Sequence, residues 1–221
     1  MTIRETHKKQ WFDFLTDKQQ EQLRASASEV VFRKGETIIK QGTAVTHIYL
    51  LNSGLVKLAS EDGNRMTVFK IVAANTFVGL MCSFARKNYD FSALAINTSV
   101  VRIIDRGVFE QIIRENGEFA MHIIELMSGF TVKIVSDLIG LSHKQANGAT
   151  ATILLDLAEI FNSHSFRMPF NRDEFADTVG FSKESVIGSL TAMQKDGIIS
   201  VSGKNIEILE PGRLLLVSRH G

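Results

Sequence analysis

Residues 175–199 read FADTVGFSKESVIGSLTAMQKDGII, and their spacing decides the fold of the C-terminal third. Phe175, Ala176 and Val179 recur at helical intervals, as do Val186, Leu190 and Met193. Each set makes one apolar stripe on a short helix. GFS makes the turn between them, with Gly180 in the bend and Ser182 as N-cap of the second helix. Small Ala176 stands where the two helices pack closely, and Val186 in the core of the second. The segment MPFNRDEFADTV reads as one amphipathic helix. Beyond the second helix, IISVS and IEILE joined by GKN make a hairpin. Helix, loop, helix, helix and two strands in this order predict a winged helix-turn-helix, a DNA-reading unit. Gly188 disagrees with its neighbours: inside a helix, glycine costs about 1 kcal/mol relative to alanine.

Working toward the N-terminus, LSHKQ pairs Ser142 with Gln145 as a capping box for a helix through TILLDLAEIF. A hinge is expected near Gly140–Ser142. Before it, Ile124, Met127, Thr131, Ile134, Leu138 and Leu141 are spaced 3, 4, 3, 4, 3. This a/d ladder fits a helix buried against its own domain or a two-stranded coiled coil between subunits. From Glu29 to about Asp105 the texture is different. Short β-branched and aromatic runs (VVF, TII, HIYLL, VKLA, MTVFKIV, VVRII) are divided by glycines, and DGNR at 62–65 reads as a hairpin turn. Such spacing predicts an antiparallel sandwich or barrel. Residues 11–27 form a short amphipathic helical lead-in.

Composition narrows the function. The formal net charge is +1, and residues 163–221 hold seven Lys or Arg against seven Asp or Glu. Any field that attracts DNA therefore comes from placement rather than surplus. Cys82 is the only cysteine, which excludes an internal disulfide, a cysteine-clustered zinc site and a self-contained four-cysteine iron–sulfur cluster. Uninterrupted uncharged apolar runs fall short of the roughly 18 residues of a membrane span, and MTIRETHKKQWF shows no secretion signal. A cytoplasmic protein without a membrane partner is expected. Neither a phosphate-binding Gly-rich loop, a paired His/Glu metal site nor a nucleophile constellation is visible, so the chain does not read as an enzyme.

In order and spacing, these motifs make the chain similar to the family of the cyclic AMP receptor protein and the fumarate–nitrate reductase regulator, over nearly its full length. VFRKGETIIKQGTAVTHIYLLNSGLVKL resembles the first half of that family's effector β-roll. NTFVGLMCSF resembles the start of its phosphate cassette, the heptad helix its long dimerisation helix, and RDEFADTVGFSKESV its DNA-reading motif. The resemblance implies an α+β fold: an N-terminal antiparallel β-roll of the cyclic-nucleotide-binding jelly-roll type (1–115), a dimerisation helix (116–141) and a winged helix-turn-helix (142–221). It implies a homodimeric transcription regulator on a two-fold related DNA operator, with RNA polymerase as a further partner. A nucleotide-binding module regulating a partner enzyme is the alternative that the β-roll alone would allow.

The effector pocket implied by the resemblance comprises Gly79, Leu80, Met81, Phe91, Ser92, Ile134 and Val135. Nucleotide binders follow the cassette glycine with a glutamate, where this chain has Leu80. Their phosphate-binding arginine falls on Phe91 or Asp90, and Ser92 matches the serine. Their purine-contacting Thr-Ser pair falls on Ile134 and Val135. Arg86 and Lys87 lie nearby, out of register. Cyclic AMP is therefore not expected; an apolar ligand, haem or no effector is, with His122 as the candidate haem ligand. Cys82 reads either as a redox switch or as a buried inert thiol. On the DNA side, Ser182, Lys183, Glu184, Ser185 and Lys204 are the expected contacts, and Gly188 takes the place of the family's second arginine.

Overall fold

The computed structural model describes residues 10–62, 65–142 and 144–221. A single 3-10 turn, Trp11–Phe14, leads into α1 (Asp17–Ala25). Thr16 caps α1, its hydroxyl accepting from the Gln19 amide while the Gln19 side chain accepts from the Thr16 amide. Strands β1 (Ala27–Phe32), β2 (Thr37–Ile39), β3 (His47–Ser53), β4 (Leu55–Asp62), β5 (Arg65–Ala73) and β6 (Thr76–Val78) follow. Then come α2 (Leu80–Ala85), β7 (Ser92–Ala95), β8 (Ser99–Asp105) and α3 (Arg106–Glu115). Of the DGNR turn, Gly63 and Asn64 lie outside the described residues; the strands on either side pair Asp62 with Arg65.

The strands make two antiparallel four-stranded sheets, ordered β1-β8-β3-β6 and β2-β7-β4-β5. They face each other across a core that includes Leu51, Val56, Leu58 and Val101. Val101 stands opposite both Val30 and Leu51 in register. The first sheet is covered on its other face too: Ile48 and Ile104 pack with Phe109 and Phe119 beneath the helices. β6 and β7 were not singled out as strands, being only three and four residues long.

The long helix α4 (Gly117–Ser142) has 26 residues. Its N-terminal turns are buried through Phe119 and Ile123. Ser142 is the last residue of α4 rather than a cap. α5 (Ala146–Phe161) starts instead from Gln145, which makes no side-chain capping bond, so the expected capping box is not formed. By length and composition the window Gly117–Ser136 is apolar enough to cross a membrane. Counting uninterrupted uncharged runs missed this, because Glu118, Glu125 and Lys133 divide the helix.

After α5 come β9 (Ser165–Arg167), α6 (Arg172–Val179), α7 (Lys183–Lys195), β10 (Ile199–Ser202), β11 (Asn205–Ile208) and α8 (Pro211–His220). The helix expected from Met168 begins at Arg172. Asn171 caps it, accepting from the Glu174 amide at 2.8 Å, while the Glu174 carboxylate accepts from the Asn171 amide at 2.8 Å. Met168 and Phe170 are buried but lie in the loop. β9 adds a third strand to the hairpin, and α8 packs against α5; neither was expected from the sequence. The core of this unit continues into the β-roll, taking in Leu55 and Ile96. At the same contact the Lys34 ammonium reaches the Glu174 carboxylate at 3.1 Å and the Pro169 carbonyl at 3.4 Å.

Candidate DNA-reading face and effector cavity

α6 and α7 meet through a turn in which Gly180 takes φ +84°, the left-handed region that glycine enters without a Cβ penalty. Ser182 then caps α7, its hydroxyl accepting from the Ser185 amide at 3.2 Å. Val186, Leu190 and Met193 are buried, each contributing about 1.5–3 kcal/mol by leaving water. Ser189 is buried among them with its hydroxyl donated to the Ser185 carbonyl at 2.9 Å, so a polar side chain sits there without an open hydrogen-bonding need.

The opposite face of α7 is open to solvent. Lys183, Glu184, Ser185 and Gly188 are all exposed on it. A Cβ placed on Gly188 would meet nothing within 4 Å, so the glycine relieves no clash inside the protein. Lys183 is held by Asp173 of α6 at 2.8 Å, which raises its pKa and turns its ammonium toward α6. Its partner was not foreseen, because α6 and α7 had to be docked before the two met. Exposed Phe181 and Ile187 lie on the same surface and were also missed. Lys204 follows Gly203 in the wing turn. Its carbonyl accepts from the Met168 amide at 2.7 Å, and Arg172 donates to the Gly203 carbonyl at 3.2 Å, so the wing is tied to the start of α6.

A cavity of about 680 Å³ opens between α4 and the β-roll. Gly79, Leu80, Met81, Phe91 and Ile134 line it, as do Phe69, Met127 and Phe130. Gly79 has φ +79° and begins α2. A Cβ there would stand 3.0 Å from Tyr89 and 3.3 Å from Ile39, so any other residue would be strained in its backbone and crowded by these side chains. Two expected pocket residues are elsewhere. Ser92 is buried away from the cavity, accepting from the Gln41 amide at 3.0 Å and donating to the Glu61 carboxylate at 2.6 Å. Val135 is on the outer face of α4, because one residue along a helix rotates the side chain by about 100°.

The same rotation corrects the heptad ladder. Met127 and Ile134 face the cavity, whereas Ile124 is exposed. The solvent-exposed stripe is Met121, Ile124, Ser128, Val132, Val135 and Ile139, apolar but for Ser128 and spaced 3, 4, 4, 3, 4. Val132 and Ile139 are 68% and 64% exposed. The side chains of Leu138 and Leu141 lie outside the described residues.

The cavity's polar groups are few. Asp90 lines it and pairs with Arg86 at 3.0 Å. His122 lines it with its ring stacked on Phe14, centroids 4.3 Å apart, and its Nδ1 3.8 Å from Glu125. Cys82 also lines it. Burial raises its thiol pKa first of all, and the lowering influence of Arg86 does not reverse this; a protonated thiol is the less reactive form. Lys133, which the sequence did not single out, lines the cavity and lies 4.0 Å from Asp156 of α5.

A β-roll with a cavity against a long helix, followed by a winged reading helix, defines a sensor joined to a DNA-binding unit. Comparison with known proteins agrees. A cyclic nucleotide-binding domain model matches residues 29–116, and a Crp-like helix-turn-helix domain model matches residues 149–216. The chain is 27% identical over 184 residues to the transcriptional activator protein anr of Pseudomonas aeruginosa, covering 80% of this chain and 75% of that one. It is 26% identical over 192 residues to the nitrogen fixation regulation protein FixK of Bradyrhizobium diazoefficiens, covering 84% and 79%. The structure of FixK2 from Bradyrhizobium japonicum superimposes with a TM-score of 0.79 at 21% identity, over 88% of this chain and 98% of that one. The chain belongs to the cyclic AMP receptor protein and fumarate–nitrate reductase regulator family. It is a DNA-binding transcription regulator of that type, which sets aside the partner-enzyme alternative.

Proposed function

We propose that the protein acts in the cytoplasm as a homodimer on a two-fold related operator, without catalysis, and that its cavity takes an effector other than cyclic AMP. The observation that carries the effector reading is the cavity's lining: Leu80, Phe91 or Asp90, and Ile134 in place of the glutamate, arginine and purine-side hydroxyl, with Ser92 already engaged by Glu61. A cyclic nucleotide brings a fixed negative charge, and burying it without a preformed partner costs several kcal/mol. The carboxylate of Asp90 adds repulsion. An apolar molecule matches the walls, in which Phe69, Leu80, Met81, Phe91, Met127 and Phe130 predominate.

The exposed stripe on α4 supports the dimer: two such stripes bury each other as a coiled coil. The same face accounts for the helix's membrane-like apolarity, and Glu118, Glu125 and Lys133 make a membrane span costly. Dimerisation would place two copies of α7 about one DNA turn apart, with Ser182, Lys183, Glu184 and Ser185 at the major groove, Gly188 allowing close approach, and Lys204 of the wing at the backbone. RNA polymerase is the further partner this reading implies. Calorimetry with cyclic AMP tests the effector reading: no binding is expected at micromolar ligand, and micromolar affinity would overturn it. Selection from random DNA tests the reader: a two-fold related sequence should emerge, and failure to enrich one would sink the operator assignment.

A further inference from the structure

One ion pair joins the starts of the two helices of the reading motif. Asp173 lies in the first turn of α6, and Lys183 is the first residue of α7. Carboxylate and ammonium are 2.8 Å apart, on side chains 71% and 44% exposed, so the pair stands on the surface that DNA would meet. Asp173 accepts one of the three ammonium protons, which leaves two donors for a further acceptor. Glu184, the next residue, adds a second negative charge beside the lysine. A phosphate brought to this ammonium is therefore repelled by two carboxylates, whereas an uncharged guanine edge is not.

We infer that Asp173 sets the specificity of Lys183: it aims the ammonium at a guanine edge and keeps it off the phosphate backbone. This rests on the reading of α7 as the helix that enters the major groove. Asp173 is a positioning residue, acting through the lysine. A lysine without such a partner swings on its flexible stem and pairs with phosphates as a point charge. Held by Asp173, it gives up part of that freedom before DNA arrives, and its remaining donors start from one place. A carboxylate in the first turn of a helix also interacts favourably with the helix dipole. That role alone would show in thermal stability and leave base preference untouched.

The test uses the full chain and the sequence it selects from random DNA, each base pair of which is then varied in competition binding. Lys183→Gln should lose preference at one G·C pair per half-site, by about tenfold. Asp173→Asn should lose preference at that same pair, by at least about threefold. It should also bind unrelated DNA more tightly, with a salt dependence steeper by about one counterion per protomer. In the Lys183→Gln background, Asp173→Asn should cause no further change in base preference. Asp173→Asn keeping the parent's preference at that pair, even with a lowered melting temperature, would refute the proposal and leave Asp173 a helix-dipole role. A further loss of preference in the double variant would refute it too, since Asp173 would then not act through the lysine. If Lys183→Gln changes preference at no pair, Lys183 does not read a base and the proposal falls with it. Selection of no sequence by the parent would overturn the reading of α7 itself.

Discussion

Gly188 leaves a vacant position on the exposed face of α7, with open space where a side chain would start. An arginine there meets no steric obstacle, and replacing glycine in a helix gains about 1 kcal/mol of helix propensity. Gly188→Arg should therefore raise the melting temperature slightly and, in a selection experiment, shift the preferred half-site toward one containing an added guanine. Glu184, one position after Lys183 and exposed, can accept from a cytosine amino group. Glu184→Ala should relax preference at one base pair per half-site by about 1–3 kcal/mol. If both variants keep the parent's preference, α7 enters the groove in another register. The N-cap Ser182 and the αL residue Gly180 were legible because capping and turn chemistry are local. The Lys183–Asp173 pair and the engagement of Ser92 by Glu61 were not, because each joins groups brought together only by docked elements.

At the scale of the element, α4 carries two apolar faces. Met127 and Ile134 face the cavity, while Val132, Val135 and Ile139 lie on the exposed stripe. Neighbouring Ile134 and Val135 thus stand on different faces. Val135→Glu would bury an unpaired charge in the proposed seam, at a cost of several kcal/mol. It should shift the monomer–dimer equilibrium toward monomer by at least about tenfold, as read by light scattering over a concentration series. Ile134→Ser should leave the dimer intact and weaken binding of an apolar probe. An unchanged dimer in Val135→Glu would mean that the stripe is not the seam. The periodicity of the helix was visible in the sequence, but its rotational setting was not. A ladder of apolar residues has the same spacing whichever way the helix faces, and only the position of the β-roll fixes which side is covered.

At the scale of the whole molecule, the sensor and the DNA-binding unit share an apolar contact through Leu55 and Ile96, fastened by Lys34 and Glu174. Burial alone would raise the Glu174 pKa. The Asn171 amide and the Lys34 ammonium outweigh it, so the carboxyl is held below its ordinary value. A lowered folded-state pKa stabilises above the ordinary carboxylate range and ceases to do so as pH falls through the folded-state value. Glu174→Gln should therefore melt lower than the parent at pH 7, by no more than about 1 kcal/mol for so exposed a pair. The difference should shrink below about pH 4.3 and vanish once the parent's carboxyl is protonated. A gap that persists unchanged at pH 3 would show that the ion pair is not its origin.

By itself the sequence determined the kind of elements and their order: β-rich runs divided by glycines, a long heptad helix, then two short helices and a hairpin. These follow from side-chain periodicity and turn residues, which act over a few positions. Through the resemblance it also set Leu80 at the place of the family's glutamate and Phe91 or Asp90 at that of its arginine. Tertiary structure alone decided which face of α4 meets the β-roll, that Ser92 points away from the cavity while Lys133 borders it, and that β9 and α8 complete the DNA-binding unit. Each of these depends on docking between segments far apart in the chain. Strands of three residues such as β6 and β9 are too short to stand alone and form because a neighbouring edge is already there to receive their hydrogen bonds.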